Sequence, residues 1–154
     1  MHVRQADLGD IPAFVAMGRE MHGESIFREY DFDEPKLYEY FRNLIESDWG
    51  IVHTLVKDGE VIGGFAGLIW PHFFGNDKQS ADIALFITEQ HRGSRAAVSL
   101  LKAYVEDAKA KGASQILIAN STGFEQERVV QLFESVGFQK VGAVLSMHVP
   151  RGDK

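Results

Sequence analysis

The chain has 154 residues, 45% hydrophobic and 25% charged, which suits a single soluble domain over residues 1–154 with one substantial core. It has no cysteine, and this excludes disulfides, thiolate nucleophiles and Cys-ligated metals. The formal net charge of −6, with no basic run, argues against nucleic acid, whose phosphates demand clustered Lys and Arg. Mild acidity suits a cationic acceptor such as a protonated amine, or simply solubility.

Residues 2–5 read as a short extended segment, and Asp7 or Asp10 can cap the helix that follows. That helix carries Ile11, Phe14, Val15 and Gly18 on one face and ends near Met21. From His22 to Phe32 the periodicity breaks. A second helix opens at Asp33-Glu34-Pro35, since proline is tolerated in a first turn. Its face is Leu37, Tyr40, Phe41, Leu44 and Ile45. Strands at 51–57 and 60–70 flank Asp58-Gly59, a hairpin signal. Gly63, Gly64 and Gly67 in the second predict bulges or the close approach of another backbone. The longest apolar run, Val61 to Trp70, is too short to span a bilayer, and no basic, apolar leader opens the chain. The expectation is a cytoplasmic protein with no membrane partner.

A loop with His72, Phe73 and Phe74 leads to a strand at 80–88, then a helix at 94–111 stopped by Gly112. A buried strand at 114–120 follows, parallel to 80–88 through the crossover. The last helix is expected at 125–136, ended by Gly137, and a final strand region at 138–149 with a break at Gly142. Its apolar part, Val141 to Val149, can bury in the monomer's sheet or pair with a second copy as a homodimer. The fold class is mixed α/β around one sheet.

Between strand and helix stands Gln90-His91-Arg92-Gly93-Ser94-Arg95-Ala96-Ala97. First-turn N–H groups lack intrahelical acceptors and sit at the positive end of the helix dipole. Small residues let an anion approach that backbone, so the turn reads as a pyrophosphate cradle; ordinary tight packing is the other reading. It is neither a Walker A loop nor a G-x-G-x-x-G fingerprint.

Arg92 to Ala97 resembles the Q/R-x-x-G-x-G/A signature of the GNAT acetyltransferase superfamily. Leu85-Phe86-Ile87 is similar to that family's L-x-V strand end, and Phe133-Glu134-Ser135-Val136-Gly137-Phe138 to its Y-x-x-x-G-F ending. Val3-Arg4-Gln5-Ala6-Asp7 with Asp10 resembles its first strand and helix entry, so the resemblance covers nearly the whole chain. It implies a mixed sheet of six to seven strands with about four helices, and a parallel strand pair that splays. It also implies acetyl-CoA as co-substrate, held by the backbone of Arg92, Gly93, Ser94, Arg95, Ala96 and Ala97, with Leu85, Phe86 and Ile87 facing the thioester. Gln126 stands where the family often has an Asn on the coenzyme, and Asn120 near the coenzyme's path or as a turn cap. The implied activity is N-acetyl transfer to a primary amine of a small molecule or protein by direct attack. Alternatives are a coenzyme A-binding regulatory module without catalysis, or a different acyl donor.

Three positions depart from the pattern. Arg95 replaces the central Gly, where its guanidinium can point outward to a coenzyme phosphate. Phe133 replaces a Tyr that serves as acid, and Ile83 stands where some members carry a Glu base. Asp82 lies one residue before it, on the opposite face of the strand unless a bulge intervenes. The candidate catalytic residues are Asp82 and, in the irregular segment that by resemblance covers the acceptor pocket, Glu24 and His22. Each also reads as an ordinary surface residue. His53, His72 and His91 are further titratable groups, and the histidines show no ligand spacing, so no metal is expected.

Overall fold

The computed structural model describes residues 1–120 and 126–152, with the backbone alone for Ser94 and Gln126. In chain order it contains β1 (His2–Gln5), α1 (Ile11–Glu24), α2 (Glu34–Glu46), β2 (Gly50–Lys57), β3 (Glu60–Pro71), β4 (Lys78–Ile87), α3 (Ser94–Ala110), β5 (Ala113–Leu117) and α4 (Gln126–Val136). Short 3-10 turns at Leu8–Asp10, Ile26–Glu29 and Glu89–His91 join them. The strands lie in the order β1-β2-β3-β4-β5, antiparallel except for the parallel pair β4–β5.

The hairpin between β2 and β3 turns on Asp58 (φ 51) and Gly59 (φ 77), two left-handed residues whose twist matches that of the flanking strands. Adjacent strand residues face opposite ways, so Ile51 enters one core and Val52 the other. The first core packs Ile62, Phe65, Leu100, Leu101 and Tyr104 between the sheet and α3. The second packs Phe14, Phe41, Ala66 and Phe86 between the sheet and α1 with α2. Cover on both faces explains why β2 reads as a nearly continuous apolar run. The glycines of β3 make room for neighbours. A Cβ on Gly63 would lie 2.8 Å from the Phe86 carbonyl oxygen, and one on Gly64 2.5 Å from the Phe14 ring.

Asp7 caps the 3-10 turn that leads into α1, accepting from the Gly9 N–H at 2.9 Å, while Asp10 occupies the N-cap position of α1 without a side-chain cap bond there. Asp10 is buried and receives Arg4 at 2.7 and 2.9 Å, the Thr54 hydroxyl at 2.8 Å and the Asp7 N–H at 3.0 Å. Burial pushes its carboxyl up, but these donors more than offset that and hold it below the usual range. The first helix continues past Met21 to Glu24.

Two expectations for the far edge of the sheet need correction. β5 ends at Leu117 and is exposed at Ser114 and Gln115, because among the described residues it has only one neighbouring strand. Residues 138–149 form no strand, so the described residues contain five strands rather than six or seven. An extended segment is a strand only when a neighbour shares its backbone hydrogen bonds. Without one, Leu145 stays 89% and Met147 85% exposed. Glu125, expected to open the last helix, lies outside the described residues, and Gly137 ends that helix at φ 117. Among the described residues no helix is long and apolar enough to cross a membrane.

Candidate active site

The parallel pair forks. β4 and β5 are registered from Lys78 with Ala113 to Ala81 with Leu117, and the ladder stops there. β4 continues to Ile87 beside β3 alone. Ala66 pairs with Ala84 and Gly67 with Asp82, so Ile83 is an extra residue and β4 carries the bulge that could re-aim Asp82. Asp82 is the first residue beyond the last parallel pair. Its Oδ1 accepts the Ala119 N–H at 3.1 Å, so the carboxylate bridges the strands where they part. Burial pushes its carboxyl up to about 6, against the lowering effect of the Ala119 and Asp82 backbone N–H groups.

Tyr104 of α3 braces this fork. Its hydroxyl donates to the Ala81 carbonyl at 3.2 Å and bonds the Ser80 hydroxyl, which must then be the donor. Burial pushes the phenol up to about 12, so it stays protonated. A Cβ on Gly67 would sit 2.1 Å from the Tyr104 hydroxyl. The missing side chain at Gly67 is what lets the Tyr104 ring lie close against β3.

Beyond Ile87, the Thr88 N–H donates to the Ile62 carbonyl at 2.9 Å, and Thr88 Oγ1 bonds His91 Nδ1 at 2.9 Å. The chain then reaches Gly93, the N-cap of the 17-residue α3, where no side chain caps the helix. The Ala97 N–H donates to the Gly93 carbonyl at 3.3 Å; the first-turn N–H groups ahead of it have no intrahelical acceptor. Gly93 is in extended backbone (φ 168), and a Cβ there would meet nothing within 4 Å. The fold therefore does not require glycine at this position. Ala96 and Ala97 turn their methyls into the core, while Arg95 is exposed.

Arg92 links the turn to α1. Its Nε donates to the Ile87 carbonyl at 3.2 Å, and its Nη2 to Glu20 at 3.1 Å and Glu24 at 2.8 Å. Glu20, Glu24 and Glu89 place carboxylate oxygens within 4.8 Å of one another, and Arg92 compensates part of that charge. Glu24 is thus brought to the turn that precedes α3. His22 is not. Its Nε2 contacts the Tyr30 carbonyl at 2.8 Å and its ring packs on Phe32, which ties down the segment between α1 and α2. Asn120 is half-buried just past β5, and Gln126 opens α4 with its side chain outside the description. Phe133 is a core residue packed against Phe138. His53 is buried on β2 with Nδ1 unpartnered, and burial lowers its pKa. His72 stacks on Phe73 and Phe74 in the β3–β4 loop.

A model of the acetyltransferase (GNAT) family matches residues 19–138. The chain belongs to the GNAT acetyltransferase family. Among curated proteins none matches the sequence. A solved putative acetyltransferase from Agrobacterium tumefaciens is similar with TM-score 0.77 at 14% identity, covering 97% of this chain and 100% of that one. An aminoglycoside acetyltransferase from an uncultured soil metagenomic sample has TM-score 0.70 at 21% identity, covering 97% of each chain. An aminoglycoside 6'-N-acetyltransferase from Acinetobacter haemolyticus has TM-score 0.73 at 12% identity, covering 99% and 100%. At these identities the solved structures establish the GNAT fold and leave the acceptor open. In this GNAT member the matched span contains the fork, the turn and Phe133.

Proposed function

We propose that this GNAT member transfers an acetyl group from acetyl-coenzyme A to a primary amine of a small molecule or protein, by direct attack in a ternary complex. The observation that carries the reading is Gly93: a glycine the fold does not need, at the uncapped start of a long helix, just beyond a fork in the sheet. Open backbone N–H groups at a helix start fit a pyrophosphate. The residues of this turn fit the coenzyme accordingly, and the backbone N–H groups of residues 93–96 would hold its phosphates; those of Arg92 and Ala97, expected to join them, already donate to the Glu89 and Gly93 carbonyls. The unpaired edge of β4, including Leu85, Phe86 and Ile87, would receive the extended arm and offer N–H groups to negative charge on the carbonyl. When bound, the coenzyme would supply an activated thioester, in which the C–S bond is exchanged for the new C–N bond and the sulfur leaves as the coenzyme thiolate.

An alkyl ammonium with a pKa of about 10.4 must give up a proton before it can attack. A carboxylate at about 6 is tuned close enough to neutrality to take it, and Asp82 has that value at the fork. Glu24, which shares Arg92 with Glu20 and lies beside Glu89, is a further candidate among the carboxylates at the turn. His22, engaged with Tyr30, is better read as holding the loop. Buried Phe133 favours a second reading, a module that binds coenzyme A without turnover, because a phenyl ring cannot protonate a thiolate.

The test is thiol release from acetyl-coenzyme A across an amine panel, with calorimetric binding of coenzyme A in parallel. Binding with amine-dependent release supports the transferase. Binding without release, on acetyl and longer acyl donors alike, supports the module. Absence of binding overturns both.

A further inference from the structure

We infer that Tyr104 is a positioning residue for Asp82: its hydroxyl holds the Ala81–Asp82 peptide and thereby fixes where the carboxylate points at the fork. The inference rests on the reading of Asp82 as the base of the proposed transfer, and adds a residue that touches neither substrate nor coenzyme. Asp82 stands where the sheet supports it least. The ladder with β5 ends at Ala81, one residue before it, and the bulge at Ile83 disturbs the ladder with β3 one residue after it. A bulged strand loses part of its ladder, so other contacts must set its direction there. One such contact comes from α3.

Tyr104 is buried, its ring centroid 4.2 Å from that of Phe65. Packing of that kind asks only for a phenyl ring. The hydroxyl adds a bond of 3.2 Å to the Ala81 carbonyl and another with the buried Ser80 hydroxyl. That carbonyl belongs to the same planar unit as the Asp82 N–H, which bonds the Asp82 carboxylate. Tyr104 therefore pins one side of a rigid plane and the carboxylate is tied to the other, while the Ala119 N–H holds Oδ1 at 3.1 Å. Gly67, the β3 partner of Asp82, leaves the space that the hydroxyl occupies. Among the described residues, the charged and titratable groups about the hydroxyl are Asp82 and, about one turn further along α3, Asp107. Behind Asp107 stand His53 of β2, with Nε2 3.6 Å from its Oδ2, and Lys111. Removing the hydroxyl alone leaves all of these in place, so a change at Asp82 then reports the lost hydrogen bond.

Tyr104→Phe keeps the ring and removes the bond. The freed peptide lets the carboxylate turn toward water, which relieves the burial that raises its pKa. Titration of the isotope-labelled Asp82 carboxyl by NMR, in the full chain, should give a wild-type midpoint of about 6 and a variant midpoint about one unit lower. The acid limb of kcat/KM should move by the same amount, and kcat should fall about 10- to 100-fold with KM for acetyl-coenzyme A little changed. Ser80→Ala deletes the other buried hydroxyl yet spares the bond to Ala81, so Asp82 should titrate there as in wild type. An Asp82 midpoint unmoved in Tyr104→Phe, or moved equally in Ser80→Ala, overturns the inference. A midpoint that moves while the acid limb stays upholds the positioning and overturns Asp82 as the base.

Discussion

Replacing Asp82 by Asn separates charge from shape at the fork. The amide oxygen of Asn can still accept the Ala119 N–H now received by Asp82 Oδ1 at 3.1 Å, so the strands should part as before. The amide cannot take a proton. If Asp82 is the base, kcat/KM for amine-dependent thiol release should fall by about 10²- to 10⁴-fold, with KM for acetyl-coenzyme A little changed. Wild type should lose kcat/KM on the acid side with a midpoint near the Asp82 value of about 6, and the variant should lack that limb. Stability supplies an independent readout. The folded value lies above the ordinary 3.8, so the folded state binds the proton more tightly. That contribution is present below 3.8 and is lost as pH rises through about 6. The gap is equivalent to about 3 kcal/mol at neutral pH, and screening of a half-buried group reduces it to about 1–2 kcal/mol. Asn should therefore raise the melting temperature at pH 7 while removing activity. A variant within threefold of wild-type kcat/KM, with its acid limb intact, would refute the base assignment.

Gly93→Glu should weaken coenzyme A binding at least tenfold in calorimetry while leaving the fold intact, because its side chain enters open space and its charge suits the helix N-terminus by about 0.5 kcal/mol. Asp10→Asn should destabilise by about 2 kcal/mol through the weakened Arg4 pair, lowering the melting temperature by about 4–8 °C. Asp10 has a lowered pKa, so its contribution is present above the ordinary carboxylate range and lost as pH falls through its folded value. The deficit of the variant should accordingly shrink in acid. Burial lowers the His53 pKa, so the contribution of this group is present above 6.5 and lost as pH falls below it, opposing the gain from Asp82. His53→Leu, which removes the unpartnered Nδ1, should raise the melting temperature relative to wild type more at pH 5 than at pH 7.

Much of the site was legible because local chemistry determined it. Asp58-Gly59 announced its hairpin through residue types suited to left-handed backbone, whereas Arg92-Gly93 marked the strand-to-helix turn by its place between two periodicities, since Gly93 is in extended backbone. Asp82 was half legible: its charge in an apolar strand drew notice, but its direction depended on a bulge at Ile83 that only pairing with Gly67 produces. The engagement of Glu24 with Arg92 was not legible, because it joins groups 68 residues apart. Residues 138–149 show the converse. Their alternation is that of a strand, yet a strand is a property of two segments, and among the described residues none supplies the second.

The fork has a consequence for how β4 breathes. From Asp82 to Ile87, this strand is held by β3 on one side and, among the described residues, by no strand on the other. Amide hydrogens directed at β3 should exchange with deuterated solvent only through rare openings of the sheet. Their neighbours directed into the fork are held by no ladder and should exchange far faster. Successive amides of this strand would then differ in lifetime by orders of magnitude, and a ligand seated in the fork should slow only the fast set.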